Sequence, residues 1–465
     1  MAFDPTLADT RFGCGLSAVI APPRGVEEMV SRLAGEDEMG ARFPIPEFSE
    51  FLPRFAAFQE ARKARKAARR DGDAAAVRDA QDALRSMVRE VRRAQTDWAR
   101  QTVLRRCETH DGFRERLVQF WGDHFTARGK APLLREAQAL YVEESIRPHV
   151  SGRFGEMLYA VVTSPLMLHY LDQNRSFGPN SAIAQRKPQA GLNENLAREL
   201  LELHTLGVDG SYGQNDVRAL AELLTGLRFT AEQGFRFHPK LAEPGQATVL
   251  GKRYGGPEPA LSDIRAVLDD LVRHPATARH IARKLAVHFV ADQPDPALVA
   301  AMAARFSETE GDLIQVYEAM LSHPAAWRRD GPGNVKQPLA FVTSGLRALG
   351  VGQAHLRRMD RRGFHQRLIA PMEVMGQPWQ EPEGPDGWAE ADSHWITPQG
   401  MAARLQWAMA APRLMLPRLP DPRDFVEHAL GSEAPETVRR AAGASETRWE
   451  GVGLVLISPA FQRHG

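Results

Sequence analysis

Two cysteines, Cys14 and Cys107, in 465 residues are too few for a disulfide scaffold or a multi-cysteine zinc or iron–sulfur site. No run approaches 18 uninterrupted apolar residues, so no segment reads as a membrane span. Neither sign of charge is in excess. The 59 Lys and Arg against 58 Asp and Glu leave a net charge of +1, which argues against a dedicated nucleic-acid binder. The opening MAFDPTLADTRFGCG lacks the basic-then-apolar run of a secretory signal, so the expected compartment is the cytoplasm. Strand-like alternation is scarce. No GxSxG elbow, P-loop, HExxH or dinucleotide-binding glycine fingerprint occurs in a suitable context.

Good helix formers dominate: Ala, Leu, Arg and Glu fill long stretches. The expected fold is mainly α, a multi-helix globular body with a small β-hairpin and a projecting charged helical hairpin. The β-hairpin is expected from Gly234–His238 and Ala247–Tyr254 about a Pro244-Gly245 turn. The helical hairpin is expected over 57–106, joined at Asp71-Gly72-Asp73. Its basic run, Arg62, Lys63, Arg65, Lys66, Arg69 and Arg70, reads as a solvated face because stacking aromatics are missing there. Ser-Pro or His-Pro at 164, 274, 323 and 458 follows apolar helical runs. Proline suits a first helical turn and the residue before it can cap, so each marks one helix ending and another starting. These features divide the chain into 1–56, the 57–106 insertion, a motif-bearing core over 107–260, and a helical 261–465 with a Trp-rich loop.

The densest polar cluster is Asn193 to Gly207, entered from the loop 176–193. Asn193 reads as a cap and Gly207 as a stop. Asn195, Glu199 and Glu202 fall at i, i+4 and i+7 on one face, with Glu194 before them and Arg198 flanking. His204 lies across the helix unless its last turn unwinds. A second candidate is His124 in FWGDHF, an imidazole among aromatics. Two carboxylates and a histidine from separate helices suggest a divalent-metal site of His124, Glu199 and Glu202, with Glu199, Glu202, Arg198 and His204 as catalytic groups. The structural counterparts are ion pairs to Arg198 and a satisfied core histidine. The loop 376–400 carries Trp388 and two further tryptophans among Pro and Gly, and reads equally as a cover or a plug.

FWGDHF, TSPLMLHYLD, NENLARELLELHTLGVDGSYGQNDVRALAELLTG, EPGQATVLGK, ARKLAVHFV and MGQPWQEPEGPDGW, in this order, resemble the bacterial domain of unknown function 1800 family across almost the whole chain. The resemblance implies a largely helical protein and no established activity. It also implies a partner, since relatives are often exported and encoded beside a protein that resembles a sulfatase or phosphatase. Riding out with such a partner is thus an alternative to the cytoplasm. Candidates carried over are His124, Asn193, Glu194, Arg198, Glu199, Glu202, His204 and Glu243. Two departures bear on a metal site: the family's FWHNHF has Gly122 and Asp123 here, and its His-Asp or His-Glu before Pro-Gly reads Ala242-Glu243 here. Two readings follow. One is a metal-assisted enzyme on a polymeric or peptide substrate. The other is a non-catalytic helical partner or assembly factor for the co-encoded protein.

Overall fold

The computed structural model describes residues 3–186, 191–329, 331 and 333–465. Residues 187–190 of the loop before the polar cluster lie outside them. The fold is mainly α, as expected. The elements that position the site are α1 (Phe48–Arg70), α2 (Ala74–Glu108), α3 (Gly112–His124), α4 (Asn195–Glu199), α5 (Pro275–Phe289), α6 (Pro338–Ala348) and α7 (Pro398–Met415).

The charged hairpin forms as its turn predicts. Gly72 takes the left-handed conformation between α1 and α2, and Asp73 caps α2 by accepting from the amides of Ala75 and Ala76. Phe51, Phe55 and Phe58 on α1, and Leu84, Val91 and Trp98 on α2, recur at helical spacing and are buried. Each such aromatic contributes roughly 2–3 kcal/mol. The basic run is exposed. The root of α2 is different: Ala99, Val103, Leu104, Arg105, Arg106 and Cys107 are buried in the body, so the projecting part of the 57–106 insertion is its tip.

The β-structure corrects the expectation of one hairpin about Pro244-Gly245. Leu227–Thr230 (β1) pairs with Gly234–Phe237 (β2), and Ala247–Val249 (β3) with Lys252–Tyr254 (β4), as two separate antiparallel hairpins. The second turns at Leu250-Gly251, both at positive φ, which is the mirror-image turn that matches strand twist. The left-handed leucine is strained, and Asp216 Oδ1 holds its amide at 2.7 Å.

At the Pro junctions, His274 and His323 accept through Nδ1 from Ala276 and Ala325, and Ser458 accepts from Phe461. Ser164 differs, for its hydroxyl has no partner among the described residues.

The hydrophobic interior divides into two clusters. The first draws on residues 7 to 327. The second combines Met39, Phe43 and the root of α2 with residues 341 to 461. Helix α2 crosses between them: Leu84, Val91 and Trp98 face the first, while Ala99, Val103, Leu104 and Cys107 face the second. At the seam Lys336 N–H donates to Gln462 and His464 N–H to Asn334. No helix among the described residues is long and apolar enough to cross a membrane.

Candidate functional site

The Asn193–His204 cluster is a network of caps and half-exposed ion pairs. Asn193 Oδ1 accepts from the amide of Asn195 at 2.8 Å. Glu194 accepts from Arg198 at 3.2 Å and from Gln214 at 2.8 Å, and Arg198 also lies 3.6 Å from Glu202. Glu199 makes no hydrogen bond or ion pair among the described residues. Burial, then the charges of Glu202 and Asp386, push its pKa up. Glu243 is a loop staple: its carboxylate accepts from Asn180 N at 2.8 Å and Nδ2 at 2.5 Å, and its own amide donates to Thr225.

The last turn of the motif widens instead of unwinding. Residues Leu200–His204 form a π-turn, which swings His204 into the interior while Glu199 and Glu202 stay at the half-exposed face. His204 is 1% exposed, and burial together with the Lys284 charge pushes its pKa down to about 3. Its ring centroid lies 6.1 Å from that of His124, which is itself 6.1 Å from His280. His124 Nε2 faces the His204 carbonyl at 3.4 Å, so Nε2 carries the proton, and the Nδ1 atoms of His124 and His204 lack partners among the described residues. These imidazoles are neutral. Among the described residues no three His, Cys, Asp or Glu side chains form a group that could hold a metal ion, so His124, Glu199 and Glu202 do not converge as the spacing suggested.

Convergence occurs instead at the seam between the two cores. Arg116 on α3, 2% exposed, donates to Nε2 of His288 and to Nε2 of His464, both at 3.2 Å, and its guanidinium lies 5.2 Å from the Phe289 centroid. A guanidinium only donates, so His288 Nε2 is the acceptor and its Nδ1–H donates to Glu390 at 2.8 Å. His464 likewise donates from Nδ1 to the Thr10 carbonyl. Burial, reinforced by the nearby Arg106 charge, pushes Arg116 down to about 10. Burial also pushes Lys336 down to about 7; its ammonium sits 4.0 Å over the Phe461 ring.

A cavity of about 130 Å³ opens beside this network. Gly122 and Asp123, the two departures from FWHNHF, line it with Gln119, Gln138 and Met372, and residues 377–380 and Trp388 of the Trp-rich loop form one wall. Both Asp123 oxygens accept from the Trp388 amide, at 2.9 and 3.0 Å. The loop therefore docks on the end of α3, and Gly387 permits the approach: a Cβ there would lie 2.6 Å from Asp123. Burial raises the Asp123 pKa well above the usual carboxylate range, aided by the charges of Glu390 and Asp386. Burial also pushes Glu390 up, but the His288 contact and the Lys284 and Arg116 charges outweigh it and hold Glu390 low. Lys284, half-buried on α5, makes no hydrogen bond or ion pair among the described residues.

Of the sequence candidates, Trp388 belongs to this cavity, whereas Asn193, Glu194, Arg198 and Glu243 fasten loops and caps. Sequence reasoning missed Arg116, His288, Glu390 and Lys284. One signal was available: His280, Lys284 and His288 stand at i, i+4 and i+8, a polar row along one face of the helix. No curated protein and no solved structure matches the chain. The model of one family matches residues 20–463, spanning both cores, the seam and the motifs alike, and the chain belongs to that family, described as "Protein of unknown function (DUF1800)".

Proposed function

We propose that the protein is an enzyme performing acid–base chemistry on a polar ligand held in the seam cavity. Asp123 is the proton donor, and Glu390, oriented by His288, is the ionised partner. The observation that carries this reading is that Asp123 lines the cavity and Glu390 lies near enough for their charges to interact, while their surroundings push the two pKa values in opposite directions. Arg116 keeps the Nδ1–H of His288 directed at Glu390, so the carboxylate is held in place as well as ionised. Hydrolysis is the reaction class that such a pair supports with water as the only co-reactant. Trp379 and Trp388 would shield the bond being cleaved.

Hydrolysis of a panel of soluble glycans and peptides, followed by release of reducing ends or amines, tests the reading. Asp123→Asn keeps an acceptor for the Trp388 amide and should lower turnover by roughly 100-fold or more. A variant that turns over substrate like the parent would sink the assignment.

A second reading, a helical partner for a sulfatase- or phosphatase-like protein, is favoured by one observation. Four of the large hydrophobic side chains exposed among the described residues, Val374, Ile396, Leu405 and Leu414, fall between residues 374 and 414. Serine at all four should leave hydrolysis intact under the first reading and abolish complex formation under the second.

A further inference from the structure

Three arginines line the seam cavity, and two are neutralised. Arg105 donates to both oxygens of Glu143, at 2.6 and 3.0 Å. Arg147 is clasped by Asp37 and Glu115. Arg106, 2% exposed, is treated differently: its Nε donates to the Thr343 hydroxyl and one terminal nitrogen to Gln119 Oε1, both at 3.0 Å. It makes no ion pair among the described residues, although Arg116 lies close enough for the two charges to act on each other.

The neutral partners of Arg106 are built in. Gln119 donates onward to Gln337 Oε1, which also accepts from Gln377, whose own Oε1 accepts from the Leu339 amide. This relay fixes every amide and supplies no negative charge. A buried guanidinium without a counterion is costly unless an anion arrives. Among the described residues, three further buried polar atoms of cavity residues have no partner: Gln138 Oε1 and Gln380 Oε1, which need donors, and Trp379 Nε1, which needs an acceptor. A ligand that satisfies them both donates and accepts, as hydroxyl groups do. The tryptophans in the wall offer flat faces to a ring.

We infer that the seam cavity binds a hydroxylated ring carrying one carboxylate, a uronic-acid unit, with Arg106 as the residue that recognises the carboxylate. This substrate class rests on the cavity being the working site proposed above. One unpaired cation calls for one negative charge, which a carboxylate supplies.

Titration of the full chain with D-glucuronate, D-galacturonate, D-glucose and inorganic phosphate, followed by calorimetry and by tryptophan fluorescence, tests the inference. A uronate should bind roughly tenfold or more tightly than glucose. Arg106→Gln should remove that preference, Arg106→Lys should retain part of it, and a melting curve for each variant checks that it folds. Asp123→Asn should still bind uronate, because it acts on the reaction and not on the carboxylate. Equal binding of glucose, binding of phosphate as tight as uronate, or no binding by folded parent protein would each overturn the inference. Uronate binding without turnover of any uronate-containing glycan would instead count against the catalytic reading and leave Arg106 as the anchor.

Discussion

The Asn193–His204 motif and the seam both concentrate charge, but in opposite ways. In the motif the charges lie close together in sequence, half-exposed, and pair with near neighbours: Glu194, Arg198 and Glu202, with Gln214 bonding to Arg198. In the seam they come from residues 106, 116, 123, 288 and 390, of which Arg106, Arg116 and His288 are buried, and are shared through neutral groups. Charges that water screens interact weakly, and charges that it does not can shift one another's protonation. The first arrangement holds loops in place. The second can hold a proton ready.

Substitutions at the two regions should separate them. The largest effect is expected at the cavity wall, where Arg147→Ala strands Glu115, itself 4% exposed, and should cost about 3–5 kcal/mol in denaturant unfolding. Next comes Asp123→Asn, for which the loss of turnover should far exceed any change in melting temperature. Acid follows. His124, His204, His280, His288 and His464 all have pKa values pushed down by burial. The unfolded chain therefore binds more protons than the native one below about pH 6.5, and stability should fall as pH falls. For His204, with its pKa near 3, this amounts to about 2 kcal/mol between pH 6.5 and 5. Melting temperature against pH checks the slope, and His204→Asn should flatten it. The smallest effects belong to the motif face. Arg198→Ala should cost no more than about 1 kcal/mol. Glu199→Gln, which relieves repulsion from Glu202 and Asp386, should leave stability unchanged or slightly raised. Should Arg198→Ala prove as damaging as Arg147→Ala, the contrast between the regions fails.

Helix formers, caps and the Asp-Gly-Asp turn made the α-rich body and its hairpin legible, because each is a local preference. Strand pairing was not, since the second hairpin turns on Leu250-Gly251, where leucine has no preference for the left-handed region. The candidate site was the least legible. Adjacent polar residues such as Asn193 to Glu202 attract attention in a sequence, yet helix ends and loop entries need such residues for their own hydrogen bonds. The seam groups are isolated in sequence, and only the His280, Lys284, His288 row hints at a buried polar surface. The absence of a histidine at 122 and 242 bore on a metal site; the structure makes position 122 an open part of the cavity wall.

Helix α2 has a consequence for how the molecule comes apart. One continuous helix of 35 residues packs against both cores and delivers Arg105 and Arg106 to the cavity between them. Neither core can melt while leaving the other a complete surface, because the shared helix would lose a flank. Calorimetry should record one transition from two cores, and a ligand that tightens the seam should move that whole transition.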